Sequence, residues 1–191
     1  AIYSNTDALM LSGETASGKY PLEAVQTMAT VAEQAEKDRI SFGELNNVPL
    51  REHCTQKEFL AHSAIESTRL LGVAGIITDS ETGETARNLA AFRGPKPILA
   101  ICYKEKTQRW LNLSYGVTAI YQKDHVSPEF MFMAAIRMLR QKCYISNDDK
   151  IAYLSGSFGE GGGTTFLEIN QVKKVFDREY QFHLPQGQKQ Q

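Results

Sequence analysis

Residues 73–93 read VAGIITDSETGETARNLAAFR, and the change of period within this stretch decides the fold. Val73 to Thr78 is an apolar run rich in β-branched residues, as in a strand buried on both faces. Ser80 to Gly83 supplies turn residues. From Thr85 the apolar positions Ala86, Leu89, Ala90 and Phe92 predict a helix over 85–93, and Gly94 and Pro95 stop it. A strand that passes through a short turn into a helix is half of a βαβ unit, and such units build parallel sheets.

The same alternation extends in both directions. Upstream, Thr55 stands three residues before Glu58, the spacing of a capping box, and predicts a helix over 56–71 closed by Gly72. Downstream, PILAICY (97–103), VTAIYQ (117–122), KIAYLS (150–155) and residues 165–172 read as strands. Helices are expected over about 106–114 and from Pro128 to about Lys142. Most of the strands are apolar on both faces. The expected fold is therefore α/β: a three-layer, mainly parallel five-stranded sheet with helices on both faces. TTFLEINQV is expected at a sheet edge, where it could pair with a second copy. PEFMFMAAIRMLRQK is apolar on nearly every side, which suits burial on several faces or an oligomer contact.

Ahead of this domain, DALML (7–11) reads as a further buried strand, ended by Ser12 and Gly13. Pro21 suits the first turn of a helix. Leu22, Val25, Met28, Ala29 and Ala32 share one face of that helix, which runs to about Asp38. Residues 40–53, with Gly43, Asn46, Asn47 and Pro49, have no period and read as a connection. The expected organisation is a first unit over 1–38, a connection over 39–52 and an α/β domain over 53–191.

Composition narrows the function classes. The formal net charge is −1, from 21 basic and 22 acidic residues, so no basic excess points to nucleic acid. Cys54, Cys102 and Cys143 are widely spaced and form no CxxC pair, which argues against a disulfide framework or a zinc site and for a cytoplasmic protein with reduced thiols. No apolar run approaches the ~20 residues of a membrane span. His62 and His125 have no partner at metal-ligand spacing and read as structural or surface residues.

In a parallel sheet, ligands bind where a strand end leads into a helix. The letters GETA stand at two such turns, Gly13–Ala16 and Gly83–Ala86. The second is the better phosphate candidate. Ser80, Thr82 and Thr85 offer hydroxyls, Gly83 lets the backbone approach closely, and the helix start favours an anion. The competing reading is an ordinary cap by Thr82 or Thr85. Asp79, Glu81 and Glu84 surround these hydroxyls with Arg87 as the nearby cation, so one phosphate suits the turn better than two. A second loop, GSFGEGGGTT from Gly156 to Thr165, is flexible enough to lie over a ligand, with Gly159, Gly161, Gly162 and Gly163 at its centre.

TDALMLSGETASGKYPLEAV (6–25) closely resembles pyruvate kinase, as do the SETGETAR turn (80–87), the following FRGPKPILA and the glycine loop. The resemblance implies that residues 1–38 are the last strand and helix of a catalytic TIM barrel, and that 53–191 is the C-terminal regulatory domain of a homo-oligomer, a homotetramer in this family. The parent enzyme would transfer phosphate from phosphoenolpyruvate to ADP, using Mg²⁺ and K⁺. The family's catalytic lysine and metal ligands have no counterpart here, which implies a fragment inactive alone, with Ser12 and Glu14 in a supporting role at most. The resemblance also implies an effector held at Ser80, Thr82, Gly83, Glu84 and Thr85 under the glycine loop. Glu84 replaces the family's usual basic residue, and Glu160 is the charged residue of the second loop. A sugar monophosphate or AMP, or no effector, therefore fits better than a bisphosphate. The alternative is a stand-alone sensory domain that binds a phosphate ester.

Overall fold

Thr55 shows how local chemistry starts the α/β domain. Its hydroxyl accepts from the backbone N–H of Glu58, and the Glu58 carboxylate accepts from the backbone N–H of Thr55 at 2.8 Å. Two N–H groups that the helix cannot satisfy are thus paired reciprocally. These hydrogen bonds hold the Glu58 carboxyl below its ordinary value of 4.5. Its contribution is present above that value and lost as pH falls through the lower folded one. Thr55→Ala is expected to cost about 1 kcal/mol, read as a lower urea midpoint with an unchanged slope.

The computed structural model describes residues 1–41, 48–123, 128–156 and 163–175. In chain order the elements are α1 (Gly13–Ala16), α2 (Pro21–Ser41), α3 (Gln56–Leu70), β1 (Gly75–Ser80), α4 (Glu84–Ala91), β2 (Ile98–Cys102), α5 (Glu105–Leu111), β3 (Val117–Tyr121), α6 (Pro128–Gln141), β4 (Lys150–Gly156) and β5 (Thr164–Gln171). The strands form one sheet in the order β3-β2-β1-β4-β5. β1, β2, β3 and β4 are parallel, and β5 runs antiparallel to β4 at the edge. The expected mainly parallel five-stranded sheet is what forms.

Alternation along the strands sorts the core into two layers. Ile76, Ile98, Ala100, Ala152 and Leu154 pack with Ala64 and Ile65 of α3 and with Ala86, Leu89 and Ala90 of α4. Ile77, Leu99, Ile101 and Ile151 pack on the other face with Ile136 and Leu139 of α6. Among the described residues of α6, Phe132, Met133 and Met138 extend that second layer and are partly buried. Cys102 is fully buried in the first layer, and burial raises its thiol to about 11. It is an inert core residue, as expected for a structural cysteine.

The structure corrects three sequence expectations. Asp7–Leu11 is not a strand, and Met10 is 87 % exposed. A strand exists through the hydrogen bonds of its neighbours, and no strand of the described residues flanks this run. β1 begins at Gly75 rather than Val73, because its ladder with β4 begins there and its ladder with β2 one residue later. α2 starts at Pro21 as the sequence indicates, but Leu22 and Val25 of its apolar face are exposed. Among the described residues, no helix is long and apolar enough to cross a membrane.

Candidate functional site

Gly83 sits at the N-cap of α4 with φ +82°. That is the left-handed region, where an L side chain is strained. An added Cβ would also stand 3.0 Å from Leu111 of α5. Neither Thr82 nor Thr85 caps the helix through its side chain in the expected way. Ser80 does the closest equivalent work: its Oγ accepts from the Gly83 N–H at 2.7 Å and pins the turn. Thr82 Oγ1 accepts from the Glu84 N–H at a long 3.4 Å. The Thr85 hydroxyl is 2.9 Å from that of Thr164, at the start of β5. A hydroxyl that accepts one hydrogen bond retains its own hydrogen, so Ser80 and Thr82 remain donors.

The acidic rim expected from sequence is resolved differently. Asp79 points to the opposite face of the sheet, where its carboxylate accepts from Ser155 and, at 3.4 Å, from Tyr153. Glu81 is 3.4 Å from Lys104. Glu84 is 2.9 Å from Lys57, which reaches across from the first turn of α3. Arg87 is therefore not the sole nearby cation. Lys57 stands where the α3 dipole disfavours a positive charge, and the Glu84 carboxylate offsets that penalty. Its stem lies over Gly163, where an added Cβ would come within 2.7 Å of Lys57 Cε.

Lys57 and Glu84 line a cleft of about 560 Å³ together with Thr55, Gln56, Glu58, Asn88, Gly163, Thr164 and Thr165. This volume lies within the range of small-molecule sites. The N-terminal turns of α3 and α4 both open onto it. Of the residues singled out from sequence, Glu84 and Gly163 line the cleft, while Ser80, Thr82, Gly83 and Thr85 form the adjoining turn. Gly159, Gly161 and Gly162 lie outside the described residues. Lys57 and Asn88 were not expected. Lys57 is 27 positions from Glu84 in the chain, and no local pattern links the two.

The first GETA turn is built otherwise. α1 is four residues long, and Ser12 and Glu14 are both exposed. The Ser12 N–H donates to the Glu14 carboxylate at 3.0 Å, and backbone hydrogen bonds lower the Glu14 carboxyl from its ordinary value. This is a self-contained helix start. Among the described residues, no group of three or more His, Cys, Asp or Glu side chains is placed to hold a metal. His62 packs edge-on against Phe92, with ring centroids 5.3 Å apart, and His125 lies outside the described residues.

A family model described as "Pyruvate kinase, alpha/beta domain" matches residues 58–170, more than half of the 191-residue chain. The chain belongs to the pyruvate kinase family. It is 34% identical over 176 residues to the pyruvate kinase of Borreliella burgdorferi, covering 91% of this chain and 37% of that protein. It is 34% identical over 179 residues to the pyruvate kinase of Bacillus licheniformis, covering 92% of this chain and 30% of that one. Among solved structures, Cryptosporidium parvum pyruvate kinase in complex with ADP superposes with a TM-score of 0.72 at 28% identity, over 90% of this chain and 35% of that one. The chain thus spans about a third of the length of the pyruvate kinases it matches. The matched span includes most of α3, all of α4 and most of β5, so the Gly83 turn and the cleft residues from Glu58 to Thr165 fall within the pyruvate kinase α/β domain, with Thr55, Gln56 and Lys57 immediately ahead of the match.

Proposed function

We propose that the chain is the regulatory and oligomer-forming part of a pyruvate kinase, an enzyme that transfers phosphate from phosphoenolpyruvate to ADP. Residues 53–191 form the regulatory domain, and 1–38 are the last strand and helix of the catalytic barrel, the strand forming only beside the rest of that barrel. Mg²⁺ and K⁺ serve the parent reaction, and no site for them is assigned to the described residues. Ser12 and Glu14 at most support the catalytic cleft. The 191-residue chain alone is expected to give no pyruvate in a coupled assay with phosphoenolpyruvate, ADP, Mg²⁺ and K⁺. Turnover above background would sink this part of the reading.

In the same reading the Gly83 turn and the adjoining cleft hold a monophosphate effector. The observation that carries it is Lys57, a cation placed at the cleft beside two helix starts and held by one carboxylate. A phosphate at the turn would take donors from Ser80, Thr82 and the first amides of α4, with Lys57 leaving Glu84 to pair with it. Gly83 permits the close approach, Thr85 ties the turn to β5, and Gly159, Gly161, Gly162 and Gly163 belong to the covering loop. Among the described residues that line the cleft, Lys57 is the one cation and it faces Glu84 and the capping Glu58, a balance that favours one phosphate over two. Calorimetry with AMP, ribose 5-phosphate and fructose 1,6-bisphosphate tests this. The monophosphates should bind and the bisphosphate should bind no tighter. A bisphosphate preference of tenfold or more, or no heat from any of the three, would overturn the assignment.

A further inference from the structure

Arg93 sits two residues beyond the end of α4, with φ +52°. This left-handed position after a helix is one that glycine commonly fills. Here the glycine comes one residue later. Gly94 is held against Ile65 of α3 so closely that a Cβ would come within 2.6 Å of Ile65 Cδ1. The arginine therefore takes the strained conformation, and strain of this kind persists where surrounding contacts over-determine it.

The polar contacts of its guanidinium all reach one short segment. Arg93 is 6 % exposed. Its guanidinium donates to the carbonyl of Asn5, approaches that of Thr6 at 3.5 Å, and pairs with the Asp7 carboxylate at 3.0 Å. It lies over the Tyr115 ring, 4.5 Å from the centroid, and the Tyr115 N–H donates to the same Asp7 carboxylate. From the other side Arg39 of α2, also 6 % exposed, donates to the Ile2 carbonyl at 2.9 Å and to the Asn5 side-chain oxygen at 2.7 Å. Asn5, itself at φ +59°, is thus gripped by two buried arginines, one from the last turn of α2 and one from just beyond α4.

The segment so gripped leads within five residues to the first GETA turn. α4 leads back from Arg93 to the second. The buried side chains Ala86, Leu89 and Ala90 fix α4 along its length, so it moves as one body over about 12 Å. We propose that Arg93 couples the two units: α4 acts as a lever with the Gly83 turn at one end and the Asn5–Asp7 clamp at the other, so that loosening either end is felt at the other. This holds whether or not the cleft takes a phosphate, and its test needs no ligand.

Amide hydrogen exchange on the 191-residue chain tests it, comparing wild type with Arg93→Met and Asp7→Asn. Each substitution should raise exchange about tenfold both at residues 3–12 and at residues 82–86, with β1 and β2 unchanged. Arg109→Met, which removes only the surface pair with Glu105, should change neither segment. A rise confined to residues 5–7 and 90–93 would overturn the lever. No rise at residues 3–12 would overturn the clamp. If Arg93→Met fails to fold, Asp7→Asn decides, because Asp7 is 56 % exposed and its loss leaves the core intact.

Discussion

Leu89→Ala will remove about 3 to 4 kcal/mol from the stability of the α/β domain. Leu89 is fully buried at the centre of the inner face of α4. A leucine truncated in a core loses its transfer energy and leaves a cavity, and the total depends on how far the surroundings collapse. Here they can collapse little. The buried layer around it includes Ala61, Ala64, Ala86, Ala90, Ala100, Ala119 and Ala152, whose side chains have no rotamer that could swing into the space. Filling it would require movement of α4, and α4 is fixed at both ends by the Ser80–Gly83 bond and by Arg93. The cost should therefore lie well above the low end of the usual range of about 2 to 5 kcal/mol. For a domain whose whole stability is typically about 5 to 15 kcal/mol, that is a large share. Urea unfolding should show a lower midpoint with an unchanged slope. Leu113→Ala is the control: Leu113 is 65 % exposed, and its loss should cost less than about 0.5 kcal/mol. A Leu89→Ala cost under about 1 kcal/mol would mean that the layer is loosely packed.

The alanine-rich layer also explains why the fold was legible. Strands that are apolar on both faces and helices with a narrow apolar stripe leave few other arrangements than a covered parallel sheet. Local signals then set the boundaries. The Thr55–Glu58 box starts α3, Pro21 starts α2, and Gly72 at φ +66° follows the end of α3. What failed to read correctly depended on partners distant in the chain. DALML has a strand's composition, but composition cannot supply the neighbouring strands that a buried strand needs. The polar grip on Asn5–Asp7 comes from Arg39 and Arg93, and nothing near residue 5 announces either.

The site divided along the same line. Ser80, Gly83 and Thr85 lie within six residues of one another, so the turn could be read from its residue types. The electrostatics could not. Residues adjacent in sequence at a strand end point to opposite faces, which sends Asp79 away from the turn and towards Tyr153 and Ser155 of β4. The charge that matters most to Glu84 arrives from a different helix. A count of nearby charges along the chain therefore gave the wrong balance, although its preference for one phosphate over two is retained by the proposed function.

Lys57 and Glu84 yield the sharpest functional expectation. Their side chains are 38 % and 52 % exposed, and a pair so open to water contributes little to stability, about 0 to 1 kcal/mol. Replacing either should hardly shift the melting temperature. Ligand binding is different, because a phosphate at the turn competes with Glu84 for the same ammonium group. A hydrogen bond to a charged group is worth about 1.5 to 3 kcal/mol when protected from water, and solvent exposure here reduces that to about 1.4 kcal/mol, or tenfold in affinity. Lys57→Met should therefore weaken AMP or ribose 5-phosphate binding about tenfold. Glu84→Gln should strengthen it, by up to about the same factor, since Lys57 no longer has to be drawn from a carboxylate. The double variant should show no gain from Glu84→Gln beyond the removal of a repelling charge, which makes the two effects strongly non-additive. Added salt should weaken wild-type binding more than that of Lys57→Met, because one screened attraction is already missing. If both single variants bind like wild type, the lysine is a surface residue paired to its neighbour, and the effector, if bound, is held by the turn alone.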